Sequence, residues 1–428
     1  MHLSAADTAH VFLSLGLIVV FAHGFGTLFV RLHQPRVVGE ILGGLLLGPT
    51  VLGALAPDIH AALFIGGRAT PWVLGIASHL GLLLLMFSSG AEIRTSFDRS
   101  ERRVVIAVSA AGTLLPFAAG IAFVQFIDTV SLLGAAADPT AFALILGAAI
   151  AVTSIPVISR IMLDLGLIET PFARIVLAAA VLEDILLYFV VAIALGIVGT
   201  SHDQLFGLPA ILKDFRPDLW AVIYHVAATI GFFAVTLVAG TALVRRTALF
   251  RRKEIPKATD IAFQFVFLLS VVAIAMLLGV APMFGAFVAG IVAGRAGDQS
   301  AQARESLKSF SFALFIPIYF ASVGLRLNLI HGFDPLFFVA FLGYACVAKA
   351  ASVFGSARLA GESTRGARNL AVALNARGGP GIVLATIAYE AKIISDSFFV
   401  VLVLLSIVTS MLAGAWLGWI VRRKEPLR

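Results

Sequence analysis

Two adjacent carboxylates, Glu183 and Asp184, stand inside the apolar stretch AAAVLEDILLYFVV, and a lysine, Lys349, stands in the middle of another, YACVAKAASVF. A carboxylate held away from water takes up whatever neutralises it, a proton or a small cation, and a buried ammonium needs an anionic partner. Successive helix positions point about 100° apart, so Glu183 and Asp184 do not share one face. Equal depth pairs Glu183 with Lys349 and leaves Asp184 without a counter-charge. A static Glu183–Lys349 pair that only fixes helix packing is the alternative reading, and it leaves Asp184 unexplained. Asp184 is therefore the carboxylate that this pairing leaves unneutralised.

Two interruptions accompany these charges. In AAIAVTSIPVISR, Pro156 removes a backbone donor while Thr153 and Ser154 offer side-chain hydroxyls that compete with the helix ladder. In AVALNARGGPGIVLA, Gly378, Gly379, Pro380 and Gly381 make a stronger break, preceded by Asn375 and Arg377. Irregular backbone inside an apolar environment is tolerated where it is buried in protein or lines a cavity. A pair of such breaks at corresponding places in two halves of a chain points to a site at mid-depth. Thr153 and Ser154 join Glu183 and Asp184 as candidate cation- and proton-binding residues. Lys349 and Arg377 are the candidate charge partners, and Pro156, Asn375, Gly378, Gly379 and Pro380 are the backbone of the breaks. For Pro156 alone, a simple packing kink is the competing explanation.

The elements that must position these residues are apolar throughout. Of 428 residues, 60% are hydrophobic and 13% charged, and the mean hydropathy is +1.01, more apolar surface than a water-soluble domain could hide. Runs of about 20 residues suit helices crossing a roughly 30 Å hydrocarbon core. Thirteen are expected, at 10–30, 37–55, 72–89, 104–127, 141–163, 172–198, 219–244, 261–278, 283–293, 310–323, 336–359, 369–389 and 398–420. Residues 1–428 then form one transmembrane domain, all-α, with inverted five-helix repeat units at about 37–198 and 283–420. A soluble regulatory domain is not expected within it, and the start lacks the basic region of a cleavable leader.

The charges outside the runs are as informative as those inside. Of the 31 Lys and Arg, 24 fall in or beside one set of alternate loops and five in the other, and the remaining two, Lys349 and Arg377, lie deep inside runs. Basic residues accumulate on the cytoplasmic side, which predicts an outside N-terminus and a cytoplasmic C-terminus. The net charge of +7 is thus a topology signal, and no nucleic-acid partner is expected. GEILGG, from Gly39, reads as close helix packing rather than a phosphate loop. Cys346 is the one cysteine, so an internal disulfide and a cysteine metal cage are excluded, and no cofactor is expected. The histidines lie mostly at run ends, and Glu40 and Glu92 read as loop anchors.

Four stretches resemble the membrane domain of the monovalent cation:proton antiporter superfamily, nearest its bacterial second branch. They are PRVVGEILGGLLLGPTVLG from Pro35, LLLLMFSSGAEI from Leu82, TSIPVISRIMLDLGLIETPFARIVLAAAVLEDI from Thr153, and NARGGPGIVLATIAYE from Asn375. The resemblance covers essentially the whole chain. It implies alternating-access exchange of sodium or potassium for protons, a homodimer in a bacterial inner membrane, and Asp184 as the carboxylate that holds cation and proton in turn. Glu183 falls on the preceding position, where it departs from the common pair of aspartates. Lys349 matches the lysine that pairs with that position, and Arg377 falls in the Gly-rich part of the second broken helix. A monovalent cation channel is the alternative function. An intramembrane hydrolase would need a second mid-depth aspartate or a Ser-His pair, and neither is found.

Overall fold

Apolar, β-branched and small residues in unbroken runs leave the backbone to satisfy its own hydrogen bonds, and helices do so within one segment. The computed structural model describes residues 4–32, 34–65, 69–92, 99–198, 207–208, 218–242, 257–295, 301–330 and 333–428. Its helices are α1 (Ala5–Arg31), α2 (Arg36–Leu47), the short α3 (Leu52–Leu55) and α4 (Pro57–His60), α5 (Thr70–Ala91), α6 (Arg99–Phe123), α7 (Pro139–Ala151), α8 (Ile155–Asp164) and α9 (Pro171–Val198). They continue with α10 (Asp218–Val235), α11 (Lys257–Leu277), α12 (Pro282–Gly294), α13 (Ala301–Ala313), α14 (Phe315–Arg326), α15 (Pro335–Leu359), α16 (Thr364–Ala373), α17 (Gly378–Glu390) and α18 (Asp396–Arg422). No strand occurs among the described residues beyond one isolated bridge, Leu133 to Ile394.

Ten helical stretches among the described residues are long and apolar enough to cross a membrane, and Pro139–Ala151, Ala227–Gly240 and Pro282–Gly294 are shorter apolar helices. The protein is therefore a multi-pass membrane protein. Several expected runs differ from the helices that form. The run at 141–163 is two helices, α7 and α8, and neither crosses a bilayer alone at 1.5 Å per residue. The run at 37–55 is one membrane-length stretch, Arg36–Leu55, built from α2 and α3 with a turn between them, where Gly48 lies against the Leu325 backbone and the Thr50 hydroxyl donates to the Leu327 carbonyl at 2.6 Å. The run at 219–244 ends outside the described residues. At 283–293 the helix has only 13 residues, and the run at 310–323 is the end of α13 followed by α14.

The chain divides into two compact units. One comprises Met1–Val19, Leu63–Arg94 and Leu195–Ser322. Within it α5 and α12 approach at backbone contact: a Cβ on Gly90 would strike the Phe287 carbonyl, and one on Gly290 the Phe87 carbonyl. Glu92 pairs with Lys308 at 2.6 Å, the anchoring role its position suggested. The other unit comprises Val20–Ala62, Thr95–Ala194 and Val323–Arg428. Glu40 pairs there with Arg36 at 2.9 Å. Its core is a continuous apolar cluster in which Val108 of α6, Ile158 of α8, Val176 of α9, Val353 of α15, Leu370 of α16 and Leu417 of α18 are all buried. Every candidate site residue belongs to this second unit.

Candidate functional site

The site is organised by two helices, α7 and α16, that stop partway along apolar stretches of the chain. Helix α7 ends at Ala151, residues Val152 to Ser154 leave the helix, and α8 starts at Ile155. Helix α16 ends at Ala373, and α17 starts at Gly378, whose φ of +32° a glycine accepts at little cost. Pro156 and Pro380 thus stand in the first turns of α8 and α17, where a missing N–H breaks no helical bond. They start helices; they do not kink them.

The two irregular segments bond to each other. Ser154 N–H donates to the Ala376 carbonyl at 2.6 Å, and the Thr153 hydroxyl donates to the Leu374 carbonyl at 2.5 Å. The Ser154 Oγ accepts from Gly379 N at 3.1 Å and from Val157 N at 3.3 Å, so one hydroxyl oxygen caps the N-termini of both α17 and α8. A side chain on Gly378 would meet Ser154 and Val157, which is why the crossing needs glycine there.

The last carbonyls of α7 are left without intrahelical donors, and two buried cations meet them. Arg377 is 1% exposed. It donates from Nε to Ala149 O at 3.0 Å, from Nη2 to Ile150 O at 3.0 Å and Ala345 O at 2.9 Å, and from Nη1 to Asn375 O at 3.1 Å and Asn375 Oδ1 at 2.9 Å. All five guanidinium N–H groups are thereby used. Arg377 lies near enough to Glu183 for a favourable charge interaction, but no carboxylate among the described residues accepts a hydrogen bond from it, and its protons go to main-chain carbonyls and the Asn375 side chain. Asn375 contributes through its side chain as well as its backbone. Its Nδ2 donates to Cys346 O at 3.1 Å and to Ala371 O at 3.3 Å.

Lys349, fully buried, donates to Gly112 O at 2.8 Å, to Glu183 Oε1 at 2.8 Å and to Ala151 O. Its three ammonium protons are all placed. The Glu183–Lys349 ion pair expected from equal depth is present, with both side chains shielded from solvent. Thr153 lies beside Glu183, but its single proton goes to Leu374. Glu183 Oε2 has no hydrogen-bond partner among the described residues.

Asp184 is equally buried, at 1% exposure, and its Oδ1 accepts no hydrogen bond among the described residues. A carboxylate so placed, beside a second carboxylate and without a donor to that oxygen among the described residues, is one that a proton or a desolvated cation would stabilise. No cluster of three or more His, Cys, Asp or Glu that could form a metal cage occurs among the described residues.

The carbonyls of Gly112, Ala149, Ile150 and Ala345 carry no sequence signal, since every residue has one. Thr409 did carry one: Ser406, Thr409 and Ser410 repeat at helical spacing in α18, all buried. The Thr409 hydroxyl oxygen accepts from Arg377 N at 3.3 Å, and a Cβ on Gly381 would meet Ser406.

Residues 17–423 match the family described as sodium/hydrogen exchanger, transmembrane. The chain is similar to the Na(+)/H(+) antiporter NhaS4 of Synechocystis sp., 27% identical over 422 residues, with 95% of this chain and 97% of that protein covered. It is likewise similar to the Na(+)/H(+)-K(+) antiporter GerN of Bacillus cereus, 26% identical, with 97% of each covered. The Cation/H(+) antiporter 18 of Arabidopsis thaliana is 27% identical over 94% of this chain but only 47% of its own length, so the chain spans about half of that longer relative. Among solved structures, the sodium proton antiporter MjNhaP1 from Methanocaldococcus jannaschii shares the fold, with a TM-score of 0.67 at 16% identity over 97% of this chain and 99% of that one. The match takes in both broken helices and the carboxylates beside them, and the chain belongs to the sodium/hydrogen exchanger family.

Proposed function

We propose that the protein is a secondary active antiporter that exchanges a monovalent cation, sodium or potassium, for protons by alternating access. The observation that carries this reading is the contrast at positions 183 and 184: Glu183 has a lysine as its counter-charge, whereas Asp184 is equally buried with no ion-pair partner and one oxygen without a donor among the described residues. The carboxylate of Asp184 holds either a proton or a cation. A loaded site crosses the apolar layer with its charge neutralised, whereas an empty one carries a bare charge whose desolvation blocks the step. Exchange is then obligatory, and no cofactor or catalytic step is required. Thr153 and Ser154, at the crossing, are proposed to line the same site, with Ser154 also holding the two helix N-termini in register.

The finer architecture belongs to the same proposal. Thirteen spans in inverted repeats are supported by order: α6, broken α7/α8 and long α9 are echoed by α15, broken α16/α17 and long α18. The loop charges support an outside N-terminus and a cytoplasmic C-terminus. A homodimer in a bacterial inner membrane follows from the family resemblance. The names of NhaS4 and GerN support sodium and potassium as substrates.

The test is cation-dependent proton flux in proteoliposomes, with sodium and potassium compared at several pH values. Reversing the pH gradient reverses the flux of an antiporter. A monovalent cation channel, the alternative, gives instead a cation current that needs no counter-flow of protons.

A further inference from the structure

Helix α6 carries the site on one face: the Gly112 carbonyl accepts from Lys349, and the Ala111 carbonyl accepts from the Ser352 hydroxyl at 2.6 Å. Its other face is open among the described residues. Ile106 (53%), Leu114 (59%) and Leu115 (58%) are exposed along it, and Phe126, just beyond the helix, is 82% exposed. At a rise of about 1.5 Å per residue, positions 102 to 126 cover roughly the hydrocarbon thickness of a bilayer. An apolar face of this kind takes acyl chains.

What distinguishes it is the end. Arg102 and Arg103 are both exposed there and form no ion pair among the described residues. Their acidic neighbour Glu101 is buried and committed to Arg174, at 2.6 Å. A shallow cavity of about 450 Å³ is lined by Arg102, Arg103, Ile106 and Ala107. Residues 102 and 106, and 103 and 107, are one helical turn apart, so two guanidinium groups sit directly above two apolar side chains. The first turn of the helix adds its own partial positive charge.

We propose that this end of α6 is a binding site for one anionic phospholipid. Arg102 and Arg103 hold the headgroup phosphate, where a guanidinium fork gives paired charge-assisted hydrogen bonds. The acyl chain descends over Ile106 and Ala107 toward Leu114. A zwitterionic lipid carries its own cation beside the phosphate and gains less from two arginines. A free phosphate shares the headgroup chemistry but has no use for the apolar floor. Because α6 also supplies the Gly112 carbonyl to Lys349, the lipid grips an element of the site without touching it. The proposal concerns binding and does not depend on the transport reading.

Native mass spectrometry of the purified full chain tests it, with phosphatidylglycerol and phosphatidylcholine of identical acyl chains, and with inorganic phosphate as competitor. Wild type is expected to retain phosphatidylglycerol with about a tenfold preference. Arg102→Ala with Arg103→Ala removes that preference, whereas Arg365→Ala with Arg422→Ala, which deletes the same charge from other exposed positions, keeps it. Ile106→Ser weakens phosphatidylglycerol retention without creating a preference for phosphatidylcholine. The proposal is overturned if wild type shows no preference, or if the Arg102/Arg103 variant keeps it. Equal loss in both double variants would reduce the effect to net charge. Displacement of the lipid by millimolar inorganic phosphate would make this a phosphate site, not a lipid site.

Discussion

Glu183 and Asp184 are neighbours on one helix with the same burial, and each has one oxygen without a donor among the described residues, yet only Glu183 has a counter-charge. Glu183 has a lysine at 2.8 Å whose remaining two protons are anchored on the carbonyls of Gly112 and Ala151. Asp184 has an oxygen with no donor. Depth in the membrane is therefore not what marks a working carboxylate. The company each side chain keeps does, and that company is set by where the neighbouring helices break. One carboxylate is held by a cation that also caps α7, and the next, without such a partner among the described residues, is the one proposed to exchange.

The largest expected effect is at Asp184. Asp184→Asn keeps the volume and cannot bind and release a proton, so coupled flux in proteoliposomes should fall to background while the protein still purifies as a folded species. Near wild-type coupled flux would move the exchange site elsewhere.

Next comes Lys349. Lys349→Ala leaves Glu183 buried without its counter-charge and frees two helix carbonyls, a loss on the order of 3–5 kcal/mol by the usual cost of breaking a buried pair. Thermal melting in detergent should drop accordingly. Glu183→Gln combined with Lys349→Gln should recover part of it, since neither side chain is then an orphan ion. Strict additivity of the two single losses in the double-mutant cycle would deny the coupling.

Arg377→Lys sharpens the comparison because it keeps the charge and loses the fork. Three donors cannot serve five acceptors, and an orphaned buried carbonyl costs about 1–3 kcal/mol. Melting should fall by less than for Lys349→Ala. An unchanged melt would mean that the guanidinium geometry is irrelevant to the end of α7.

The smallest structural effect is expected for Ser154→Ala, which removes a shared N-cap worth about 1 kcal/mol. Because Ser154 lies at the crossing, the apparent cation KM should rise in the same variant. A lowered melt with an unaltered KM would confine Ser154 to the scaffold.

Wild-type pH dependence tests the open carboxylate without mutation. Proton and cation compete for it, so at subsaturating cation the rate should climb with pH, and the apparent KM should fall between pH 6 and pH 8. A KM independent of pH would contradict a shared ligand.

Much of this was legible in the residues themselves. A membrane-spanning helical class follows from run length and hydropathy, because no other backbone arrangement except a closed barrel satisfies its polar groups in hydrocarbon. The partnership of Glu183 with Lys349 followed from equal depth, since two opposite charges at the same level in a low-dielectric layer have nowhere better to go. The breaks at Thr153–Pro156 and Asn375–Gly381 were visible from proline, glycine and hydroxyl chemistry. What the chain order could not convey was how the breaks are used. Arg377, expected as a charge partner, also acts as a cap, because two of its acceptors are main-chain carbonyls of α7 that are open only once that helix stops at Ala151. The prolines read as breaks and prove to start the helices that follow, and Ser154 serves two helix N-termini, accepting from Val157 N and from Gly379 N 225 residues away. Charge and hydropathy are properties of residues, so they can be read in order along a sequence. The satisfaction of orphaned backbone groups depends on which chain ends meet in space, and only the tertiary structure decides that.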